Sequence, residues 1–559
     1  MNTASTVAPR APRRHRLGAA LLAALMSASS LLPAWAQAPV APPPNPVRLP
    51  ALGEAASADL SVNQERRIGD AILREGRRDP AFLDDPILLA YVQQLYEPLL
   101  RAARQRGDIE PDVDQAFSWE IFLINDRSVN AFALPGGYVG VHLGLIALTT
   151  TPDALASVLA HELTHVTQRH IARSIAPQQQ ASLLAVAGLL LGVLAASRAS
   201  TTGGSIDSAN AAIMGGQAAA IQTQLNFTRA MEREADRVGF GLLADAGYNT
   251  HGMAQMFEKL AFANRINDTN NFPYLRTHPL TSDRITEART RVLAAPMPVP
   301  EPTLLHALMQ ARARVIMDDS AQALARLSGE SSSPLAAERI GAMLAGALAA
   351  SRLKEHTRAE RLVAEARSAA AALPARDAAA ERVLQLTHAE LRQAAGDVRG
   401  ALALLETLPP APAGAPRSAA RAPLLLRAQL LLELQRNPPG AEPAAMRAST
   451  EALQTWLAEH PQDGAAWERL AGTADALGQR LRSLRAAAEA RAVLGDLPGA
   501  IDRFRVAQQA ARSASGQQEF IEASVIDARL RQLVAQRREL QLEARGGRDG
   551  PDGPRLTLH

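Results

Sequence analysis

Apolar residues recur every three or four positions over most of this chain and change to a two-residue alternation only briefly. Ile68 and Ile72, then Ile87, Leu88, Tyr91, Val92 and Leu95, follow the helical period up to about Arg106. Residues 117–124 instead read as a strand closed by Asn125-Asp126, and residues 129–141 as a second extended stretch interrupted by Pro135-Gly136-Gly137. Pro135 lacks the amide donor that a central ladder requires, which predicts an edge strand. Thr151-Pro152 supplies an N-cap followed by Pro at the first helical position, and the spacing predicts a helix to about Ala172. Another helix is expected from about Leu225 to Ala246, stopped by Gly247. From Pro302 to about Leu540 the helical spacing is continuous except for short Pro/Gly loops. The fold class is therefore mainly α, with a small sheet in the first half.

The C-terminal half repeats itself. Leu494-Gly495-Asp496 followed by Gly499-Ala500-Ile501 restates Ala395-Gly396-Asp397 followed by Gly400-Ala401-Leu402. The two glycines lie 99 residues apart, close to three periods of about 34, the tetratricopeptide length. Trp467, Leu470 and Ala471 begin a further unit. Small residues at such positions let paired helices approach, and stacked pairs leave a concave groove.

Charge changes the picture at the N-terminus. Residues 1–36 hold four arginines and no acid, so the rest of the chain carries 55 basic against 56 acidic residues. Only Lys259 and Lys354 are lysines, and the arginines are scattered among acids rather than gathered in a stripe that could follow phosphates. Nucleic acid is accordingly not an expected partner. The basic stretch Arg13-Arg14-His15-Arg16 leads into an apolar run over residues 17–32, and Ala34-Trp35-Ala36 offers a small-x-small cleavage site. These features predict a signal peptide cleaved near Ala36, hence an exported protein, and the absence of Cys suits a periplasm. Six prolines between Pro39 and Pro50 describe an extended linker. From Leu183 to Ala196 every residue is Ala, Val, Leu or Gly, short for a membrane span. It reads as a buried helical hairpin or as a peripheral contact with lipid or a partner.

The chemistry sits in His161-Glu162-Leu163-Thr164-His165. Histidines four apart on a helix share a face, so both can hold one Zn²⁺ while Glu162 reaches a water beside it. A metzincin would carry Gly and His three and six residues after the second His; Gln168 and Ile171 stand there, and His170 falls one short. The third ligand must come from elsewhere. Glu232 and Asp236, also four apart, share a face of the later helix, so one can bind metal while the other holds the far nitrogen of a ligating His. Glu234 between them points elsewhere and reads as a solvated or structural carboxylate.

The His-Glu-x-x-His helix, the later Glu-x-x-x-Asp helix and the stretch Asn130-Ala131-Phe132-Ala133-Leu134-Pro135-Gly136-Gly137 together resemble the gluzincin metallopeptidases grouped with HtpX and the CAAX prenyl proteases. The order of leader, peptidase and tetratricopeptide repeats is similar to a periplasmic branch of that group that acts as protease and chaperone in outer-membrane protein assembly. The resemblance implies an α+β zincin-type metallopeptidase domain followed by an all-α repeat solenoid. Expected segments are 1–36 signal peptide, 37–60 linker, 61–300 peptidase, 301–540 repeats and 541–559 disordered tail.

By the same resemblance, His161, His165 and Glu232 would be ligands of one zinc ion, Glu162 the general base and Asp236 the carboxylate behind a ligand. Thr277-His278-Pro279 with Arg284 also matches. His278 would either cover the open zinc position as a latch or, with Arg284, act in catalysis by stabilising the oxyanion. Asn130, Ala131 and Phe132 would form the edge that binds substrate by strand addition. The implied activity is a zinc endopeptidase acting on unfolded or misassembled polypeptides, with outer-membrane assembly machinery as a repeat-domain partner. The alternative is chiefly a chaperone or docking protein whose peptidase is latched.

Overall fold

The computed structural model describes residues 60–174, 228–266, 273–294, 297–327, 333–436, 442–512 and 516–546. The expected signal peptide, nearly all of the linker and the apolar run at 183–196 lie outside them. Helix α1 (Val62–Gly76) begins with a capping box: the Ser61 hydroxyl accepts from the Gln64 amide, and the Gln64 side chain accepts from the Ser61 amide. A two-residue strand β1 (Phe82–Leu83) precedes α2 (Pro86–Arg106), which Asp85 caps and Gly107 closes in the left-handed conformation. The short α3 (Pro111–Ala116) leads to β2 (Glu120–Ile124). That strand starts later than the apolar run suggested, because Trp119 takes a positive φ of 51° and bends the chain into the sheet.

The second extended stretch is a hairpin, β3 (Ala131–Leu134) and β4 (Tyr138–His142). Its turn needs Gly136 and Gly137, at φ 82° and 88°; a Cβ on Gly136 would also stand 2.9 Å from the Arg66 Cα. The sheet order is β1-β2-β4-β3, with β2 and β4 parallel and both outer pairs antiparallel. The fully buried β4 is thus central, and β3, which Pro135 follows, is an edge.

A short α4 (Leu143–Leu148) leads to α5 (Pro152–Thr167), capped by the Thr151 hydroxyl. Nearly every residue of α5 is buried, since it packs on α2, on β3 and on two later helices. It does not run to Ala172 as its sequence suggests. Arg169 adopts φ 51°, and a new helix α6 (His170–Ser174) sets off from it. A left-handed Arg is unfavourable locally, and long-range bonds compensate: its Nε donates to Glu65 Oε2 at 2.6 Å and its Nη2 to the Leu60 carbonyl at 2.5 Å. Helix α7 (Arg229–Asp245) is capped by Thr228 and followed by left-handed Gly247. Helices α8 (His251–Ile266), α9 (Tyr274–Thr277) and α10 (Ser282–Ala294) complete the first half.

The remainder is helix upon helix: α11 (Leu304–Met317), α12 (Ala321–Leu327), α13 (Ala336–Arg352), α14 (His356–Ala371), α15 (Ala378–Ala394), α16 (Val398–Glu406), α17 (Arg421–Gln435), α18 (Pro443–Glu459), α19 (Gly464–Ala476), α20 (Arg480–Val493), α21 (Leu497–Ala511) and α22 (Gln517–Gly546). The two repeated phrases fold alike. In each, a left-handed glycine (Gly396, Gly495) ends one helix and the next Asp accepts from the amide three residues on, Asp397 from Gly400 and Asp496 from Gly499. Ala401 and Ala500 are then fully buried against the preceding helix. Helix α22 continues to Gly546, so the first six residues of the expected disordered tail are helical.

The two halves share one apolar core from α2 to α18. Buried Arg312 binds Asp85 at 2.8 Å and Glu390 at 2.7 Å, and Arg421 bridges Asp84 to Asp463. No described helix is long and apolar enough to cross a membrane.

Candidate metal centre

On α5, four residues at about 100° each return nearly to the starting face, so His161 and His165 project together. Their Nε2 atoms lie 3.0 Å apart. Helix α7 packs across α5 and brings Glu232 into the same point: Oε2 is 3.5 Å from His161 Nε2 and Oε1 is 3.6 Å from His165 Nε2. The segment after α9 adds His278, whose Nδ1 stands 2.9 Å from Glu232 Oε1 and 3.3 Å from His161 Nε2. One donor atom from each of these four buried residues falls within 4.8 Å of the others.

Imidazole and carboxylate donors crowded this closely fit a zinc ion. Electrostatics agrees. Burial lowers the His161 pKa, yet its bonds to Asp236 and Glu232 outweigh that and raise it to about 9. His165 is pushed well below the ordinary range by burial and by the charge on His161. Burial would raise Glu232, but His278 and His161 hold it far below the usual carboxylate range. Glu232 and Asp236 thus favour positive charge at His161, while His165 stays neutral.

Glu162 is fully buried beside the cluster, with the Ala133 amide directed at its carboxylate and His278 Nε2 3.5 Å from its Oε1. Burial raises its pKa, opposed by His278 and His161, which suits a group that must accept a proton. Asp236 Oδ1 lies 3.0 Å from His161 Nδ1, on the side of the ring away from the donor cluster. Glu232 therefore faces the centre and Asp236 backs it, the choice that their shared face left open.

Arg284 is not where an oxyanion donor would be expected. Its Nε and Nη2 donate to the two oxygens of Asp236 at 2.6 and 2.8 Å, and its Nη1 lies 2.8 Å from both Glu232 Oε2 and the Pro279 carbonyl. All three nitrogens are engaged, so the geometry is that of a clamp on the two carboxylates. The edge also needs redrawing. The Asn130 carbonyl accepts from the His142 amide, so in antiparallel alternation Asn130 and Phe132 direct their backbone groups to β4, while Ala131 and Ala133 turn theirs outward. Phe132 contributes its ring instead, edge-on to Phe122 and His142. The outward backbone groups are those of Ala131 and Ala133, and of these the Ala133 amide is directed at the Glu162 carboxylate.

His170 lies beyond the sequence reading, which used it only to exclude one motif. Its Nδ1 is 2.9 Å from His165 Nδ1, and its Nε2 is 3.1 Å from Glu234 Oε2, which Arg173 also binds at 3.1 Å. Burial depresses the His170 pKa to about 4. Glu234 is thus a partly buried, doubly bound carboxylate rather than a solvated one. A second histidine shortly after the His-Glu-x-x-His run was the available signal; its meaning depends on the break at Arg169.

The family model of peptidase family M48 matches residues 90–292, which span the whole centre. A Vibrio cholerae protein provisionally named a beta-barrel assembly-enhancing protease is 40% identical over 298 residues, covering 53% of this chain and 56% of that protein. The beta-barrel assembly-enhancing protease of Escherichia coli K12 is 34% identical over 272 residues, 49% of this chain and 51% of its own. A mitochondrial metalloendopeptidase of Saccharomyces cerevisiae is 28% identical over 199 residues, 35% of this chain and 53% of its own. The chain spans about half the length of the curated relatives it matches.

Proposed function

Taking residues 90–292 as a peptidase family M48 domain, we propose that this protein is an exported zinc endopeptidase that cuts unfolded or misassembled polypeptide in the periplasm. The observation that carries the reading is the convergence of His161, His165 and Glu232 next to the fully buried carboxylate of Glu162. His161 and His165 would hold the ion through Nε2, and Glu232 through a carboxylate oxygen. A zinc ion in such a site supplies Lewis acidity to a scissile carbonyl and brings the pKa of a neighbouring water towards ~7. Glu162 takes the proton of the attacking water and returns it to the departing amine. The Ala131 amide and carbonyl and the Ala133 carbonyl face outward, so an extended substrate can add as a further strand beside Glu162, which the Ala133 amide already meets. That mode requires a chain free of its own secondary structure, which selects unfolded segments rather than a sequence.

Export rests on the basic, apolar and Ala34-Trp35-Ala36 order of the N-terminus. The relatives named for beta-barrel assembly support a role in outer-membrane protein quality control, with the stacked helices as a tetratricopeptide-type docking surface for clients or assembly machinery. A second reading, a chaperone whose peptidase is mostly latched, is favoured by His278: its Nδ1 stands among the donor atoms, where a substrate carbonyl would have to come.

The test is metal analysis of the purified protein beside Glu232→Ala, with casein hydrolysis followed before and after chelation. Stoichiometric zinc in the wild type, its loss in the variant and chelator-sensitive cleavage are expected. A wild-type protein that cuts casein equally well after zinc removal would end the reading.

A further inference from the structure

His170 follows His165 by five residues, and in an unbroken helix it would sit about 140° round the axis, facing away. The left-handed Arg169 changes that. It ends α5, starts α6 on a new course and swings the His170 ring to 4.8 Å from the His165 ring, at 76° to it. The conformation is secured far away, by Glu65 and the Leu60 carbonyl. An unfavourable backbone angle that is fixed by buried partners points to a purpose at the position it creates.

The hydrogen bonds through His170 fix protons as well as positions. Glu234 also receives the Arg173 guanidinium and acts as an acceptor, so His170 Nε2 donates to it. The two Nδ1 atoms, 2.9 Å apart, share one proton, and when His165 gives its Nε2 lone pair to a metal that proton sits on His165 Nδ1 and His170 Nδ1 accepts it. This leaves His165 Nε2 as the lone pair aimed at Glu232 and His161 Nε2. Only this tautomer of His165 can bind a cation through Nε2.

We propose that His170 is a positioning residue, and that the relay His165–His170–Glu234 holds the ligand His165 in its metal-binding tautomer and orientation. It parallels the other ligand, where Asp236, clamped by Arg284, backs His161 directly. The two histidines are thus served by carboxylates two residues apart on α7, one in contact and one through an inserted imidazole. Metal ligands are commonly supported in this way, and removal of such support typically weakens metal binding about 10- to 100-fold.

The inference rests on the zinc-peptidase reading, and its test separates the two. In the full chain, zinc affinity is measured by competition with a fluorescent chelator for the wild type, His170→Phe, His170→Asn and Glu234→Gln. Melting of the metal-free proteins and separate kcat and KM values on casein accompany it. His170→Phe keeps a ring but no acceptor, and its zinc affinity should fall by about 10- to 100-fold with KM near wild type, while its metal-free melting temperature drops together with that of His170→Asn, since both lose the bond to Glu234. His170→Asn keeps an acceptor near the Nδ1 position and should recover most of the loss; Glu234→Gln should fall between. Wild-type affinity in His170→Phe, or equal losses of affinity in the Phe and Asn variants, would overturn the relay. If zinc binding depends on His170 but casein is never cut, the relay stands and the peptidase reading falls. If the wild type takes up no zinc, both fall.

Discussion

His278 Nδ1 stands 2.9 Å from Glu232 Oε1, a contact between residues 46 apart that brings a loop imidazole into the ligand set of two helices. Its Nε2 is 3.5 Å from Glu162 Oε1, so the same ring lies across both the donor atoms and the base. A group approaching the donor atoms from this side has to displace it.

His278→Ala is therefore expected to retain zinc and to raise casein hydrolysis or self-cleavage by several-fold. Time courses of casein digestion by metal-replete wild type and variant measure it. Unchanged or reduced cleavage at equal zinc content would instead assign His278 to catalysis.

Glu162→Gln keeps the shape of the side chain and removes the proton acceptor. Hydrolysis should fall by about 10²- to 10⁴-fold, with zinc content and repeat-domain binding unaffected. Degradation of unfolded protein at the wild-type rate would remove Glu162 from the mechanism.

Arg284→Met tests the clamp. Breaking a buried ion pair by removing one partner costs roughly 3–5 kcal/mol, because Asp236 and Glu232 remain buried with less compensation. Urea unfolding of the metal-free variant should show a loss of that order. Full stability combined with slow cleavage would favour a direct role at the substrate carbonyl.

His306 ties α11 to α2 and to the loop before α5. The Tyr91 hydroxyl lies 2.5 Å from its Nδ1, and its Nε2–H donates to the Thr149 carbonyl at 2.9 Å. Burial lowers its pKa from 6.5 to about 4. As pH falls, the unfolded chain gains the proton first, so this residue's contribution is complete above about pH 6.5 and is lost between 6.5 and 4. The loss is at most about 3.5 kcal/mol, at ~1.4 kcal/mol per pH unit. Urea midpoints across that range should fall less steeply in His306→Gln; parallel curves would refute the assignment.

What the sequence by itself determined is local. The pitch of a helix puts His161, Glu162 and His165 in fixed relation once α5 forms, and Thr151-Pro152 marks where it begins. The Gly-Asp phrases write out a left-handed stop and an N-cap within four residues, so their two loops were legible without the fold. Pro135 marked the edge strand for the same reason: it acts through its own missing amide.

Tertiary structure alone decided the rest. Glu232 and Asp236 are equivalent by helical periodicity; only the way α7 crosses α5 turns one to the donor cluster and leaves the other behind His161. Arg284 became a clamp because two carboxylates surround it, and His170 reached His165 because Glu65, 104 residues before Arg169, holds a break that helical spacing did not foretell. Periodicity encodes which side of one element a residue occupies. Which sides meet is set by packing between elements far apart in the chain, and the partners of a charged group are set there too.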